Sequence, residues 1–241
     1  MMPKVSIVIP TYNHCDDLLK PLCESILKYT DMEIVEVIVV ANGCSDDTEE
    51  YVKSLGKPFR VLVNPEPLGY TKATNMGILS SRGEFVVLLN NDCILLPQIK
   101  NKWIDLMLEP FDKDERVGIT GPLKSFCQHT QREFMIFFCT MIRQTLFNEV
   151  GLLDIVFNPG GAEDTDFSIR AQDLGYKIVQ VPGDELSAKD GNMIGEFPIY
   201  HAGERTMGEM SNWQEIFDRN FKHLARRYNP NYNPEDYKTH G

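Results

Sequence analysis

Three places in the sequence bring together side chains that could do chemistry. The first is Asn90-Asn91-Asp92, directly after the apolar run Phe85-Val86-Val87-Leu88-Leu89. A hard divalent cation takes oxygen ligands and keeps room for waters or substrate phosphates. One carboxylate and one amide oxygen can anchor such an ion while a diphosphate completes its shell. Alone, the tripeptide is also an ordinary polar turn. The second place is Gly161-Ala162-Glu163-Asp164-Thr165-Asp166, which sets three carboxylates at the start of a helical pattern. The positive end of a helix dipole stabilises carboxylates there, and that is a sufficient structural reason for them. A carboxylate kept ionised beside a cleft can also take a proton from an attacking hydroxyl. Asp166 and Arg170 are four apart and can pair along the helix, which leaves Asp164 as the freer base and Asp166 as support. The third place is His201, in Ile199-Tyr200-His201-Ala202-Gly203-Glu204-Arg205. A neutral imidazole can complete a metal shell, and Arg205 could meet a phosphate. A structural histidine is the plainer reading of His201 alone.

The elements that must position these groups follow from hydrophobic periodicity. Strands are expected over 5–9, 35–40, 60–63 and 85–89, the last nearly all apolar, as befits a strand covered on both faces. Helices are expected over 16–29, 47–55 and 70–80; Leu18, Leu22 and Ile26 share one face of the first. Strands and helices therefore alternate, which predicts an α/β fold with a mostly parallel, doubly wound central sheet. Ligands of such sheets sit beyond the carboxyl ends of the strands. Pro10-Thr11-Tyr12-Asn13, Ala41-Asn42-Gly43 and Asn90-Asn91-Asp92 all fall at that edge. Each alone reads as a capped turn, but three at one edge read as a site.

The second half is less regular. Helices are expected over 99–108, 143–150, 164–174 and 211–228, with strands over 117–120 and 177–181. The apolar run 134–140 could be another strand. Residues 183–195 read as a glycine- and charge-rich loop, and the tail after 228 as frayed. The aromatic stretch with Phe126, His129, Phe134, Phe137 and Phe138 is read as core, although aromatic faces also stack on sugar rings. No repeat or linker interrupts the 241 residues, so one domain is expected: a first half to about 97, a second from about 98 to 228, and a tail over 229–241.

Composition narrows the function classes. A net charge of −11 repels phosphate backbones and argues against nucleic acid. A phosphate ligand would then need a metal, a helix N-terminus or a few basic side chains. The six cysteines form no Cys-X-X-Cys pair, which fits free thiols in a reducing compartment. No apolar stretch is long enough to span a bilayer. A cytoplasmic protein is expected, with peripheral contact with a membrane left open.

Val8-Ile9-Pro10-Thr11-Tyr12-Asn13 resembles the opening of the family 2 inverting glycosyltransferases. Val39-Val40-Ala41-Asn42-Gly43-Cys44-Ser45-Asp46-Asp47-Thr48 and Gly69-Tyr70-Thr71-Lys72-Ala73-Thr74-Asn75-Met76-Gly77 are similar to its next segments. Asn90-Asn91-Asp92 resembles its Asp-X-Asp metal motif, and Glu163-Asp164-X-Asp166 the segment that supplies its base. The ordered set runs from about residue 5 to residue 201. The resemblance implies a glycosyltransferase A-type fold, a nucleoside diphosphate-sugar donor, often UDP-linked, and Mn²⁺ or Mg²⁺. It also implies residue roles. Pro10, Thr11, Tyr12, Asn13, Asn42, Lys72, Asn75, Asn90 and Asn91 would bind the nucleotide-sugar. Asp92 would be the principal metal ligand and His201 a further one. Asp164 would be the base, with Glu163 beside it in the catalytic segment. The acceptor, whether glycan, lipid-linked or protein, is not implied.

Two positions depart from the family pattern. Ala41 stands where an acidic residue is common, and Asn90 replaces the first Asp of the metal motif. One formal charge remains at the corner, so metal binding should lean on the donor diphosphate. Two rivals remain at this level. A sugar-1-phosphate nucleotidyltransferase would need a glycine-rich basic loop, which Pro10-Thr11-Tyr12-Asn13-His14 is not. A non-catalytic nucleotide-sugar-binding protein would not need the carboxylates at Glu163-Asp164. A dinucleotide oxidoreductase is disfavoured, because no Gly-X-Gly-X-X-Gly follows the first strand.

Overall fold

The computed structural model describes residues 2–182, 196–203 and 211–233. The first half runs β1 (Val5–Thr11), a π-helical turn (Cys15–Leu19) leading into α1 (Lys20–Tyr29), β2 (Val35–Asn42), α2 (Thr48–Leu55), β3 (Phe59–Asn64), α3 (Tyr70–Ser80) and β4 (Phe85–Leu89). Then come β5 (Cys93–Leu95), α4 (Lys102–Lys113), β6 (Val117–Gly121), β7 (Lys124–Cys127), β8 (Arg132–Met135) and β9 (Cys139–Arg143). The chain finishes with α5 (Leu146–Val150), a 3₁₀ turn (Ile155–Phe157), α6 (Glu163–Asp173), β10 (Lys177–Gln180), β11 (Ile199–His201) and α7 (Trp213–Tyr228).

Seven strands form one sheet in the order β10-β6-β9-β4-β1-β2-β3. Pairing is parallel from β4 through β1 and β2 to β3, and again between β10 and β6. Strand β9 is the exception and runs antiparallel to both β4 and β6. Alternate residues of the central strands feed opposite cores. Ile7, Ile9, Val37, Val39, Val87 and Leu89 pack with Leu22 and Ile26 of α1 and with Trp103 and Met107 of α4. Val8, Ile38, Val40, Val86 and Leu88 pack with Ala73 and Ile78 of α3 and with Phe167 and Ala171 of α6. The sheet is thus covered on both faces, as its uninterrupted apolar runs require.

Helix α3 lies close on the sheet because Gly77 has no side chain. A Cβ there would sit 2.2 Å from Val8 Cγ1. The run 134–140 is not one strand. It is split by a turn at 136–138, so Phe137 enters one core and Phe138 the other. An unbroken apolar run carries no alternation to mark that turn. The helix expected over 143–150 starts later, because Arg143 ends β9 opposite Phe85. The short pairs β5–β11 and β7–β8 lie outside the main sheet, and the sequence pattern shows neither pair as such. The loop expected over 183–195 lies outside the described residues, as does Arg205.

Candidate active site

The corner after β4 is held by backbone bonds on both sides. Asn90 N donates to Phe138 O at 2.8 Å, and Ala202 N donates to Asp92 O at 3.0 Å. Strand β11 pairs with β5 so that His201 lies opposite Cys93, which brings a histidine from 109 residues further along to Asp92. The His201 ring stacks on Phe138 with centroids 4.4 Å apart and planes 9° from parallel, which fixes its orientation. His201 Nε2 then stands 3.2 Å from Asp92 Oδ1. Among the described residues neither atom has a hydrogen-bond partner although both are buried, and Asn90 Oδ1, two residues before Asp92, is buried and unpartnered too.

Buried polar atoms are almost always satisfied, so such a set calls for a missing partner. A carboxylate oxygen, an amide oxygen and an imidazole nitrogen suit a hard or borderline divalent cation. The residues present therefore fit a metal ion. Cys93 Sγ lies within 4.8 Å of the Asp92 and His201 ligand atoms. It instead donates to Phe138 O at 3.5 Å, and burial, with Asp92 beside it, holds its pKa well above the usual thiol range. As a neutral thiol it is a poor ligand for a hard cation.

The carboxylates of α6 divide into two roles. Asp166 is fully buried and accepts from Arg170 Nε at 2.8 Å, Arg227 Nη1 at 2.6 Å and Tyr228 Oη at 2.7 Å. Arg227 also pairs with Asp154 at 2.8 Å. Asp166 is thus a structural hub that ties α7 to α6. Glu163 and Asp164 have no cation among these bonds. Burial raises the pKa of both, with Asp164 raising Glu163 further. Glu163 is the more shifted, and its Oε2 is buried without a partner among the described residues. Asp164 is only partly covered and accepts from Thr165 N at 2.6 Å. The more open group, closer to its ordinary titration range, is the better proton acceptor at neutral pH.

One strut joins the two centres. Phe138 O holds Asn90, while the neighbouring Phe137 O accepts from Tyr70 Oη at 3.1 Å and Phe137 N–H lowers the pKa of Asp164. Two consecutive residues therefore touch the metal-type corner and the carboxylate pair. Tyr70, at the start of α3, lies between them: burial raises its pKa, followed by Glu163 and Asp164, with Cys93 a smaller contributor. Tyr70 falls within the segment Gly69 to Gly77, where local pattern assigns it no role. Only its place at the carboxyl edge of the sheet hinted at one.

The residues expected to bind the nucleotide sit at that edge with mixed duties. Tyr12 is 41% exposed, Lys72 is exposed, and Thr11 accepts from Asn91 Nδ2 at 2.9 Å. Pro10 is buried within β1. Three asparagines act as latches between loops. Asn13 Oδ1 accepts from Ser45 N at 2.8 Å, and Asn42 Oδ1 from Leu68 N at 2.7 Å. Asn75 makes a reciprocal pair with Leu153, its Nδ2 to O at 2.8 Å and its Oδ1 from N at 3.1 Å. The structure thus brings Asp92, His201, Asn90 and Asn91 together and turns Asn75 towards the loop before α6.

A family model described as Glycosyl transferase family 2 matches residues 6–151, more than half of the chain. The chain belongs to glycosyl transferase family 2. Among curated family relatives, glycosyltransferase AglE of Haloferax volcanii is 32% identical over 38% of this chain and 31% of its own length. The uncharacterized protein y4gI of Sinorhizobium fredii is 26% identical over 96% of this chain and 29% of its own. The chain thus spans about a third of the length of these two relatives. Among solved structures, a mannosyltransferase from Pyrobaculum calidifontis in complex with GDP-Man and Mn²⁺ superposes with a TM-score of 0.67, at 17% identity over 99% of this chain and 68% of that one. GalNAc-T7 with UDP, GalNAc and Mn²⁺ gives 0.65, at 17% identity over 75% and 43%. The family 2 chain has the glycosyltransferase A-type fold. None of its described helices is long and apolar enough to cross a membrane.

Proposed function

We propose that this chain transfers a glycosyl group from a nucleoside diphosphate-sugar to an acceptor hydroxyl, with inversion at the anomeric carbon. The observation that carries this reading is the pairing of two centres on one strut. Phe138 bonds the Asn90 backbone and stacks on the His201 ring beside Asp92, and Asp164 meets Phe137. The three β/α units and β4 before the corner receive the donor, and the segments after it receive the acceptor. Tyr12, Thr11, Asn42 and Lys72 border the nucleoside and its phosphates, while Asn91 and Asp92 face the sugar-phosphate.

Asp92, His201 and Asn90 would hold Mn²⁺ or Mg²⁺ together with the donor diphosphate. A cation bound there supplies positive charge where negative charge develops on the leaving diphosphate. Asp164 takes the proton of the acceptor hydroxyl as its oxygen bonds to C1 of the sugar. The bond from C1 to the diphosphate oxygen breaks, and the diphosphate leaves with the electron pair. Burial raises the pKa of Asp164, which makes it a stronger base than an exposed aspartate. Glu163, more strongly shifted, stays protonated beside it and limits the pair to one negative charge. Tyr70 donates to Phe137 O and keeps the strut in place.

A thermal-shift panel of UDP- and GDP-sugars with and without Mn²⁺ tests the donor half, because a ligand that binds only the folded state raises its melting temperature. A shift with one nucleotide-sugar that needs Mn²⁺ and is lost in Asp92→Asn supports the reading. No shift with any donor, or one indifferent to Asp92, contradicts it.

A further inference from the structure

The edge of the sheet opposite the candidate active site carries a cavity of about 590 Å³. It lies where β1 and β4 begin and β9 ends. Its wall brings together Lys4, Arg82 and Arg143, with Glu84 the one carboxylate beside them. The chain as a whole has a net charge of −11, so three cations around one cavity run against its composition.

Backbone bonds fix this wall. Lys4 N donates to Ile34 O at 2.8 Å, and Lys4 O accepts from Phe85 N at 3.1 Å. Glu84 O accepts from Gln144 N at 2.9 Å. Arg82 is held twice by the buried Glu36, through its backbone N at 2.8 Å and its Nη2 at 2.8 Å. Glu36 also pairs with Arg60, so this one carboxylate does not cancel both guanidiniums.

Arg143 is the informative member. It ends β9 opposite Phe85, and its guanidinium carbon lies 5.4 Å from the Phe85 ring centroid and 5.2 Å from that of Phe111. Cation–π attraction to these rings orients the side chain. Its Nε is nevertheless buried with no hydrogen-bond partner among the described residues. Neither Arg143 nor Lys4 forms an ion pair among those residues, whereas Arg60, Arg82, Arg170 and Arg227 each do. Buried donors are almost always satisfied, so an oriented guanidinium with an open donor calls for an acceptor.

We infer that this cavity binds a phosphate-bearing anion, held by Arg143, Lys4 and Arg82, at the end of the strands away from the donor. Guanidinium forks match the oxygens of a phosphate. A carboxylate has one charge and two oxygens, too few for three cations on different elements. The cavity has the size of a small-molecule site, larger than a bare phosphate needs. Pro3 and the 78% exposed Met2 add apolar atoms to its wall, so the phosphate belongs to a larger organic body. A soluble phosphoester and a lipid headgroup share this chemistry, and the test separates them.

The whole chain is titrated with inorganic pyrophosphate by calorimetry, in metal-free buffer of physiological ionic strength, so that the corner at Asp92 takes no part. In parallel it is floated with vesicles of phosphatidylcholine, with and without phosphatidylglycerol. Arg143→Met keeps an apolar stem against the Phe85 and Phe111 rings, and Lys4→Ala changes an exposed side chain. An unchanged melting temperature and an unchanged Mn²⁺-dependent donor shift check that both variants are folded. Pyrophosphate binding at one site, weakened about tenfold in Arg143→Met and less in Lys4→Ala, is the result expected for a soluble phosphoester; tenfold is the scale of one lost charge-assisted bond. Binding only to the phosphatidylglycerol vesicles, with the same losses, supports the site and assigns a lipid headgroup. No binding in either arm, or binding that both substitutions leave unchanged, would overturn the inference. The site does not depend on the glycosyl-transfer reading: loss of either leaves the other standing.

Discussion

Glu163 and Asp164 stand side by side at one helix end, yet the protein gives them different environments. Both are pushed up by burial, Glu163 more than Asp164. The folded state therefore holds protons on this pair at pH values where the unfolded chain, titrating near its ordinary pKa of about 4, has released them. Stability contributed by the protonated pair is present below the unfolded pKa and is lost as pH rises through the folded values. Glu163→Gln should accordingly raise the melting temperature at pH 8 and change it little at pH 4; a loss at pH 8 would contradict the assigned burial cost. The same shift sets the acid limb of the rate. The kcat–pH profile should fall as pH drops through a value above the usual aspartate range, and a limb near pH 4 would argue against Asp164. The split between Asp164 and Asp166 was legible in the sequence, because Asp166 and Arg170 are one helical turn apart. The second half of the hub was not, since Arg227 and Tyr228 arrive from 61 and 62 residues away. For the same reason the latch duties of Asn13, Asn42 and Asn75 were invisible. Their partners are backbone groups of remote loops, which leave no mark on local pattern.

At the scale of elements, α3 and β4 lie where the periodicity puts them, to the residue. Long periodic segments declare themselves through many side chains at once. Strands of three or four residues, such as β5 and β11, do not, and these carry His201 to Asp92. His201 could be proposed from its residue type and the family resemblance, but its distance from the corner needed the fold. Helix α7 was legible as an amphipathic helix, whereas its grip on α6 was not. Removing the centre of that grip should be costly, because Asp166→Ala leaves Arg170 and Arg227 without their shared carboxylate. The expected loss is about 3–5 kcal/mol in chemical denaturation. A loss under about 1 kcal/mol would show that α7 docks by its apolar face alone.

The whole molecule places its chemistry at one edge of one sheet. Strands β1, β2 and β4 end there in parallel; β1 ends on Thr11, β2 on Asn42, and the turn after β4 carries Asp92. Parallel order was legible from alternating elements. The antiparallel strand β9 was not, although the turn before it makes the strut between the two centres. The chain carries a net charge of −11, so a diphosphate meets an unfavourable overall field. Donor affinity should therefore depend on the cation held at Asp92 and His201. His201→Ala is expected to weaken Mn²⁺-dependent donor binding about 10- to 100-fold by calorimetry, with the metal-free value unchanged. Equal weakening with and without Mn²⁺ would move His201 out of the metal shell.

Asp92 and Asp164 are proposed as the two poles of one glycosyl-transfer site. This pairing is tested by release of nucleoside diphosphate from the donor that the panel selects, measured with Mn²⁺ and the best of a set of glycan, lipid-linked and protein acceptors, for the wild type, Asp92→Asn and Asp164→Asn. Acceptor-stimulated release in the wild type, loss of both release and Mn²⁺-dependent donor binding in Asp92→Asn, and loss of release with donor binding intact in Asp164→Asn are the expected results. Release at near wild-type rate in Asp164→Asn, with donor still bound, would rule out Asp164 as the base.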